Sequence, residues 1–257
     1  MKIIAGPCQH ESLNNSIEIA NACKAVCDRL GIEYYFKASF DKANRTSMLG
    51  KRGVGIMQTV QDFARMKNWI SGLNILTDVH ESWQIDLVKD NVDVIQIPAF
   101  LCRQTDLIRR AVESGKIVNI KKGQFLAPWD IAGILSKTEG AKEVWITERG
   151  TSFGYNTLVV DFTGIHYMLD NFDCPVVFDV THSVQKPGGH GNSSGGNRNY
   201  VPGLARAASA LGVQNFFLEV HPDPDNAPSD GPNMLRLDDF ETVVNNIVKF
   251  NFIKEEK

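Results

Sequence analysis

The 257-residue chain is short of cysteine, of long apolar runs and of surplus positive charge, and each shortage removes a class of protein. Its five cysteines, at positions 8, 23, 27, 102 and 174, are odd in number and scattered, so no disulfide framework is expected and the thiols are read as reduced. No run approaches the roughly 18 apolar residues of a membrane span. The opening stretch from Met1 is apolar only over Ile3, Ile4 and Ala5 before Gly6 and Pro7 break it, short of a secretory core, so the expected location is the cytoplasm. Lys and Arg number 27 against 30 Asp and Glu, which leaves a net charge of −3 and no basic surplus with which to hold a nucleic-acid backbone. Phosphate-loop and dinucleotide glycine motifs are missing, and neither His10-Glu11 nor His80-Glu81 continues into H-E-x-x-H, so no nucleotide cofactor is expected. What remains is 43% hydrophobic and 22% charged, the make-up of an ordinary globular protein.

What is present is a rhythm. Short β-branched or aromatic runs alternate with longer amphipathic stretches from one end to the other. The runs predict strands at Lys2 to Ala5, Tyr34 to Ala38, Asn74 to Thr77, Asp93 to Ile97, Ile117 to Ile120, Glu143 to Thr147, Val176 to Asp179 and Phe216 to Glu219. A first helix is expected after Asn15 as cap, with Ile19, Cys23, Val26 and Leu30 on one face and Gly31 as stop. Further helices are expected near Met57 to Ile70, Ser82 to Lys89, Gln104 to Ser114, Pro128 to Ser136, Asp161 to Leu169, Pro202 to Leu211 and Asp238 to Val248. Eight βα units in one unbroken chain make a single-domain (β/α)8 TIM barrel over residues 1–257, with a doubly wound open sheet as the structural rival.

In a barrel the chemistry gathers where the strands end. Here those ends carry Cys8; Lys37, Ser39, Lys42, Asn44 and Arg45; Asp78 and His80; Gln96; Lys121 and Lys122; Glu148 and Arg149; Asp179 and His182; and Glu219 and His221. The cationic members suit a ligand with several negative charges, phosphate or carboxylate. Cys8, His182, Glu219 and Asp230 combine a thiol, an imidazole and two carboxylates, a mixture that suits a divalent transition ion, although their wide spacing makes the signal weak and leaves a buried structural cysteine as the alternative. Gly150 to Gly154 matches G-x-S-x-G, but Glu148 and Arg149 stand where a nucleophile elbow needs an uninterrupted strand. The glycine-rich stretch Lys186 to Arg198 follows the seventh strand, where a loop could close over a ligand.

Several segments together resemble 3-deoxy-8-phosphooctulonate synthases of the metal-dependent branch. They are Gly6 to Cys8, Phe36 to Arg45 (FKASFDKANR), Thr77 to Glu81, Gln96 to Asp106, Lys121 to Trp129 (KKGQFLAPW), Thr147 to Tyr155 (TERGTSFGY), Thr181 to Gln185 and Ser229 to Pro232. The resemblance covers nearly the whole chain. It implies a barrel, a homotetramer, and condensation of phosphoenolpyruvate with arabinose 5-phosphate for the lipopolysaccharide inner core. It further implies that Lys42, Lys122 and Arg149 hold phosphoenolpyruvate with Gln96 and Ala99 nearby, and that Lys37 and Ser39 belong to the substrate site. Asn44, Arg45 and Thr46 would face the sugar phosphate, completed by Arg103 from a neighbouring subunit. Lys42, Asn44, Asp78, Lys122 and His182 are the expected catalytic groups; Cys8, His182, Glu219 and Asp230 would hold Zn2+, Fe2+, Mn2+ or a similar ion. His10 stands where the resemblance leads one to expect an apolar residue. The rivals are the related synthase that takes erythrose 4-phosphate, a sialic-acid-type synthase, and a non-catalytic sugar-phosphate-binding protein.

Overall fold

The computed structural model describes residues 1–45, 47–189 and 194–251. Eight parallel strands form the frame: β1 (Lys2–Gly6), β2 (Glu33–Lys37), β3 (Asn74–Asp78), β4 (Val94–Ile97), β5 (Ile117–Lys121), β6 (Val144–Glu148), β7 (Val176–Asp179) and β8 (Asn215–His221). Each pairs with the next, and β1 pairs in parallel with β8 from Lys2↔Asn215 to Gly6↔Glu219, which closes the sheet into a barrel. The open-sheet rival is thereby excluded. Outside run α1 (Leu13–Arg29), α2 (Ile56–Trp69), α3 (Gln84–Val88), α4 (Thr105–Glu113), α5 (Ile131–Leu135), α6 (Phe162–Asn171), α7 (Val201–Ala210) and α8 (Phe240–Phe250). None of the described helices is long and apolar enough to cross a membrane.

The pleat of the strands determines what fills the barrel. Ile4, Tyr35, Leu76, Val94, Ile117, Trp145, Val177 and Phe217, one from each strand, form an apolar cluster of their own, apart from the larger cluster packed between strands and helices. Side chains alternate between faces with period two, so the residues two positions further on share the interior. They are Gly6, Lys37, Asp78, Gln96, Asn119, Thr147, Asp179 and Glu219. All eight are buried, and seven are polar. The interior thus changes from an apolar plug to an ionic layer within one step along every strand. Gly6 is the exception for a steric reason: a Cβ there would stand 2.0 Å from the Lys37 carbonyl oxygen on the adjacent strand.

Two local readings change. The cap of α1 is Ser12, whose Oγ accepts from the Asn15 backbone N–H at 3.3 Å, whereas Asn15 lies inside the first turn and reaches back to Glu11. Ser152 of the G-x-S-x-G match sits on the short ribbon of Thr151–Ser152 with Leu158–Val159, not at a strand-to-helix elbow, which removes the hydrolase reading. All five cysteines are free, and Cys23 and Cys27 are buried on the inner face of α1.

Candidate active site and metal centre

A cavity of about 660 Å³ opens at the C-terminal ends of the barrel strands. Lys37, Lys42, Asn44, Arg45, Asp78, His80, Gln96, Ala99, Lys121, Arg149, His182 and Asp230 all contribute to its wall, so residues up to 193 positions apart converge on one space. Cys8, Ser39 and Glu219 do not line it but lie against residues that do. Arg103 is exposed and lies off the wall, and Thr46 lies outside the described residues.

Lys122 differs from its expected place. Its Nζ sits 3.2 Å from Glu148 and 3.4 Å from the Thr151 hydroxyl, and the lysine on the cavity wall is its neighbour Lys121. The cause is parity: Ile117, Asn119 and Lys121 face the barrel interior, so residue 122 turns away. Lys121 is in ionic contact with Asp179 and its ammonium stands 3.4 Å from the centre of the Phe217 ring. Burial outweighs Asp179 and pulls the Lys121 ammonium down to about 8, with Lys37 and Arg149 acting in the same direction.

The remaining cations are placed by a dense polar network. Lys37 Nζ donates to the Cys8 carbonyl at 3.2 Å and to Ser39 Oγ at 3.0 Å, with Glu219 at 3.6 Å and Asp78 at 3.8 Å. Lys42 Nζ also donates to Ser39 Oγ at 3.0 Å, and that hydroxyl in turn donates to Asp78. Burial opposes the charge on Lys42, but Cys8, Glu219, Asp78 and Asp230 more than compensate and hold its ammonium well above the ordinary lysine range. Asp78 also faces His80 Nε2 at 3.1 Å; burial would raise this carboxyl, yet Lys37 and His80 hold it well below the usual range. Arg45 clamps three loops, donating to Gln9, Ser229 and the Lys51 carbonyl. Gln96 accepts from Asn119, and Arg149 Nη2 donates to Gln185 Oε1 at 2.8 Å. Arg149 Nη1 is buried without a hydrogen-bond partner.

Next to this cavity, one ligand atom each from Cys8, Glu219 and Asp230 lies within 4.8 Å of the others. Cys8 Sγ donates to Asp230 Oδ2 at 3.1 Å. His182 stands at the edge of the group, with Nε2 3.6 Å from Glu219 Oε1 and Nδ1 2.7 Å from Asp179, an electrostatic contact rather than an aligned hydrogen bond. Glu219 is 1% exposed, and neither of its oxygens accepts a hydrogen bond. A buried carboxylate that accepts no hydrogen bond, with the Lys37 ammonium no nearer than 3.6 Å, gains from a cation bound directly to it. Burial first, then Glu219 and Asp230, pushes the Cys8 thiol well above its ordinary value, against the pull of Lys42 and Lys37. Asp230, at a positive φ of 51°, is held down at about 2: burial opposes the shift and His182 and Lys42 drive it. One sulfur, carboxylate oxygens and an imidazole around an unsatisfied carboxylate fit a divalent transition ion.

Two features escaped the sequence. Gln185 joins Arg149 to Asp230, and Gln124, with Oε1 buried and unpaired, lines the cavity beside Lys121. Counting by twos from Ile117 would have chosen Lys121 over Lys122 for the cavity wall; nothing in the pattern marks either glutamine. His10, out of place on an apolar expectation, is fully buried between Ser16 Oγ at 2.8 Å and Asp62 Oδ2 at 2.9 Å, so its polarity is satisfied internally.

A closed (β/α)8 barrel with converging cations and a thiol-carboxylate cluster at its strand ends is built as an enzyme for small anionic molecules. The chain belongs to the DAHP synthetase I family, whose profile matches residues 1–252. It is 52% identical to the 2-dehydro-3-deoxyphosphooctonate aldolase of Rhodopseudomonas palustris (strain BisB5), over all of this chain and 90% of that one. The proteins of the same name from Nitrobacter hamburgensis and Caulobacter vibrioides (strain NA1000 / CB15N) are 55% and 54% identical, each over 98% of this chain and 88% of the relative.

Proposed function

We propose that this chain, acting as one catalytic domain over residues 1–257, condenses phosphoenolpyruvate with D-arabinose 5-phosphate and water. The products are 3-deoxy-D-manno-octulosonate 8-phosphate and inorganic phosphate, a transferase step of lipopolysaccharide inner-core synthesis in the cytoplasm. The observation that carries the reading is Arg149: it lines the cavity with Lys42 and Lys121, and its Nη1 is buried with no partner. A buried guanidinium nitrogen held open beside two ammonium groups is a site prepared for a phosphate or carboxylate. The family description alone leaves the acceptor sugar open; the relatives' printed names favour the eight-carbon product over the one made from erythrose 4-phosphate.

In this reading Lys42, Lys121 and Arg149 bind the phosphate and carboxylate of phosphoenolpyruvate, with Gln96 and Ala99 beside them, and Lys37 and Ser39 fix Lys42 and Asp78. Asn44, Arg45 and Thr46 face the sugar phosphate, and Arg103 acts on the site of a neighbouring copy within a homotetramer. Carbon 3 of the enol attacks the sugar aldehyde, a C–C bond forms, and the aldehyde oxygen takes up a proton. Water adds at carbon 2 and gives up a proton; the resulting phosphohemiketal breaks its C–O bond and releases phosphate. No lysine adduct is required. The cations stabilise negative charge throughout. Asp78, His80, His182 and Glu219 are the candidate proton carriers of this reading. Cys8, His182, Glu219 and Asp230 would hold a divalent ion, which when bound supplies a Lewis acid for the aldehyde or its adjacent hydroxyl.

Mass spectrometry of the product tests the reading. Phosphoenolpyruvate with arabinose 5-phosphate should yield the eight-carbon acid phosphate. Preferential formation of the seven-carbon acid from erythrose 4-phosphate would assign the chain to the other synthase, and tight binding of both substrates without product would make it a binding protein.

A further inference from the structure

Gln185 hydrogen-bonds at once to the cavity arginine and to a carboxylate of the candidate metal group. Its amide oxygen accepts from Arg149 Nη2 at 2.8 Å, and its amide nitrogen donates to Asp230 Oδ1 at 2.8 Å. The orientation of the amide is unambiguous, because arginine only donates and an ionised carboxylate only accepts. Each partner keeps its other end for a ligand: Arg149 leaves Nη1 buried and unpaired, while Asp230 Oδ2 faces Cys8 Sγ within the candidate metal group. The backbone of Gln185 is itself fixed, pairing with Gly196 as Lys186 pairs with Gly195 at the root of the glycine-rich loop.

We propose that Gln185 is a positioning residue that couples the two ligands, so that an anion on Arg149 tightens metal binding at Cys8, Glu219 and Asp230, and the metal tightens the anion. This rests on the functional reading above for the identity of the anion. An ion on Asp230 fixes the carboxylate, the carboxylate fixes the amide, and the amide fixes the guanidinium; the second ligand then meets a side chain already ordered. Coupling of this kind is reciprocal and is read as an affinity ratio.

Calorimetric titration of the metal-stripped full chain tests it, using Mn2+ with and without phosphoenolpyruvate and phosphoenolpyruvate with and without Mn2+, at matched free concentrations. In the unaltered chain each ligand should tighten the other by about fivefold or more, by the same factor in both directions. In Gln185→Ala that factor should fall to within about twofold of unity, while each ligand alone binds within about threefold of its former affinity. Gln185→Glu keeps an acceptor for Arg149 but sets a carboxylate against Asp230, so phosphoenolpyruvate alone should still bind and the coupling should be lost; it decides the matter if the alanine variant does not fold. Coupling that survives in both variants, or is absent from the unaltered chain although both ligands bind, overturns the inference and leaves the proposed reaction standing. Loss of both separate affinities along with the coupling would also overturn it, by making Gln185 structural. Failure of the unaltered chain to bind phosphoenolpyruvate at all would overturn the functional reading and this one with it.

Discussion

Two adjacent lysines, Lys121 and Lys122, carry opposite consequences because the pleat turns them to opposite faces. Lys121 lines the anion cavity, so Lys121→Met should lower kcat/KM about 100-fold, equivalent to about 2.7 kcal/mol of transition-state stabilisation. Lys122 is 1% exposed against Glu148, and Lys122→Met leaves that carboxylate buried without its cation. Its main effect should be a loss of about 3 kcal/mol of stability, read in a urea titration, with a smaller change in kcat/KM. The reverse ranking in steady-state kinetics would contradict the assignment. The pH dependence follows from the same residue. Burial holds the Lys121 ammonium at about 8, so its charge is present below that pH and lost above it. In the proposed reading the charged form binds phosphoenolpyruvate, so the KM for that substrate should rise as pH climbs through about 8, and Lys121→Arg should move the rise to higher pH. Stability runs the other way. The folded value lies below the ordinary lysine value of about 10.4, so the burial penalty is present below about 8 and is relieved between the two.

At the scale of elements, the cap of α1 offers a direct check. Ser12→Ala removes the hydroxyl that accepts from Asn15 N–H and should cost about 1 kcal/mol in a denaturant titration, while Asn15→Ala should cost less. The sequence placed the helix but not its cap, because Ser12 and Asn15 are both capping types and only the extended backbone of Ser12, with φ of −161°, separates them. Strands show a related limit. Val176–Asp179 is found as expected, but β1, β3, β5 and β6 run one residue beyond the expected ends, to Gly6, Asp78, Lys121 and Glu148. Those last residues are glycine or charged, so hydrophobicity stops short of them, and three of the four belong to the ionic layer, the cavity wall or its supporting pair. Burial and pairing are legible from the apolar run. The polar layer above it becomes legible only once the parity of each strand is counted from its apolar neighbour, as Lys121 illustrates. Gln185 is not legible at all, since its two bonds join loops 36 and 45 residues away.

The whole molecule carries the question of assembly. Phe100, Phe125, Trp129 and Tyr155 are 57–96% exposed, and Arg103, itself exposed, lies two residues beyond the helical turn Ala99–Leu101. Sedimentation velocity should find a tetramer. Mixing Arg103→Ala chains with Arg149→Ala chains should restore part of the activity that neither has alone, because a mixed assembly contains sites with an intact Arg149 served by an intact neighbouring Arg103. A monomer, or no recovery on mixing, would contradict a shared site. The proposed reaction requires one barrel mouth to bind two phosphorylated substrates beside a metal held by Cys8, His182, Glu219 and Asp230. The measurement is phosphate release from phosphoenolpyruvate with arabinose 5-phosphate, followed after chelation and again after a divalent ion is restored. Sugar-dependent release should be lost to the chelator and return with the metal. Release that persists undiminished in the chelated enzyme would contradict the metal's part in it, and no sugar-dependent release under either condition would contradict the reaction itself.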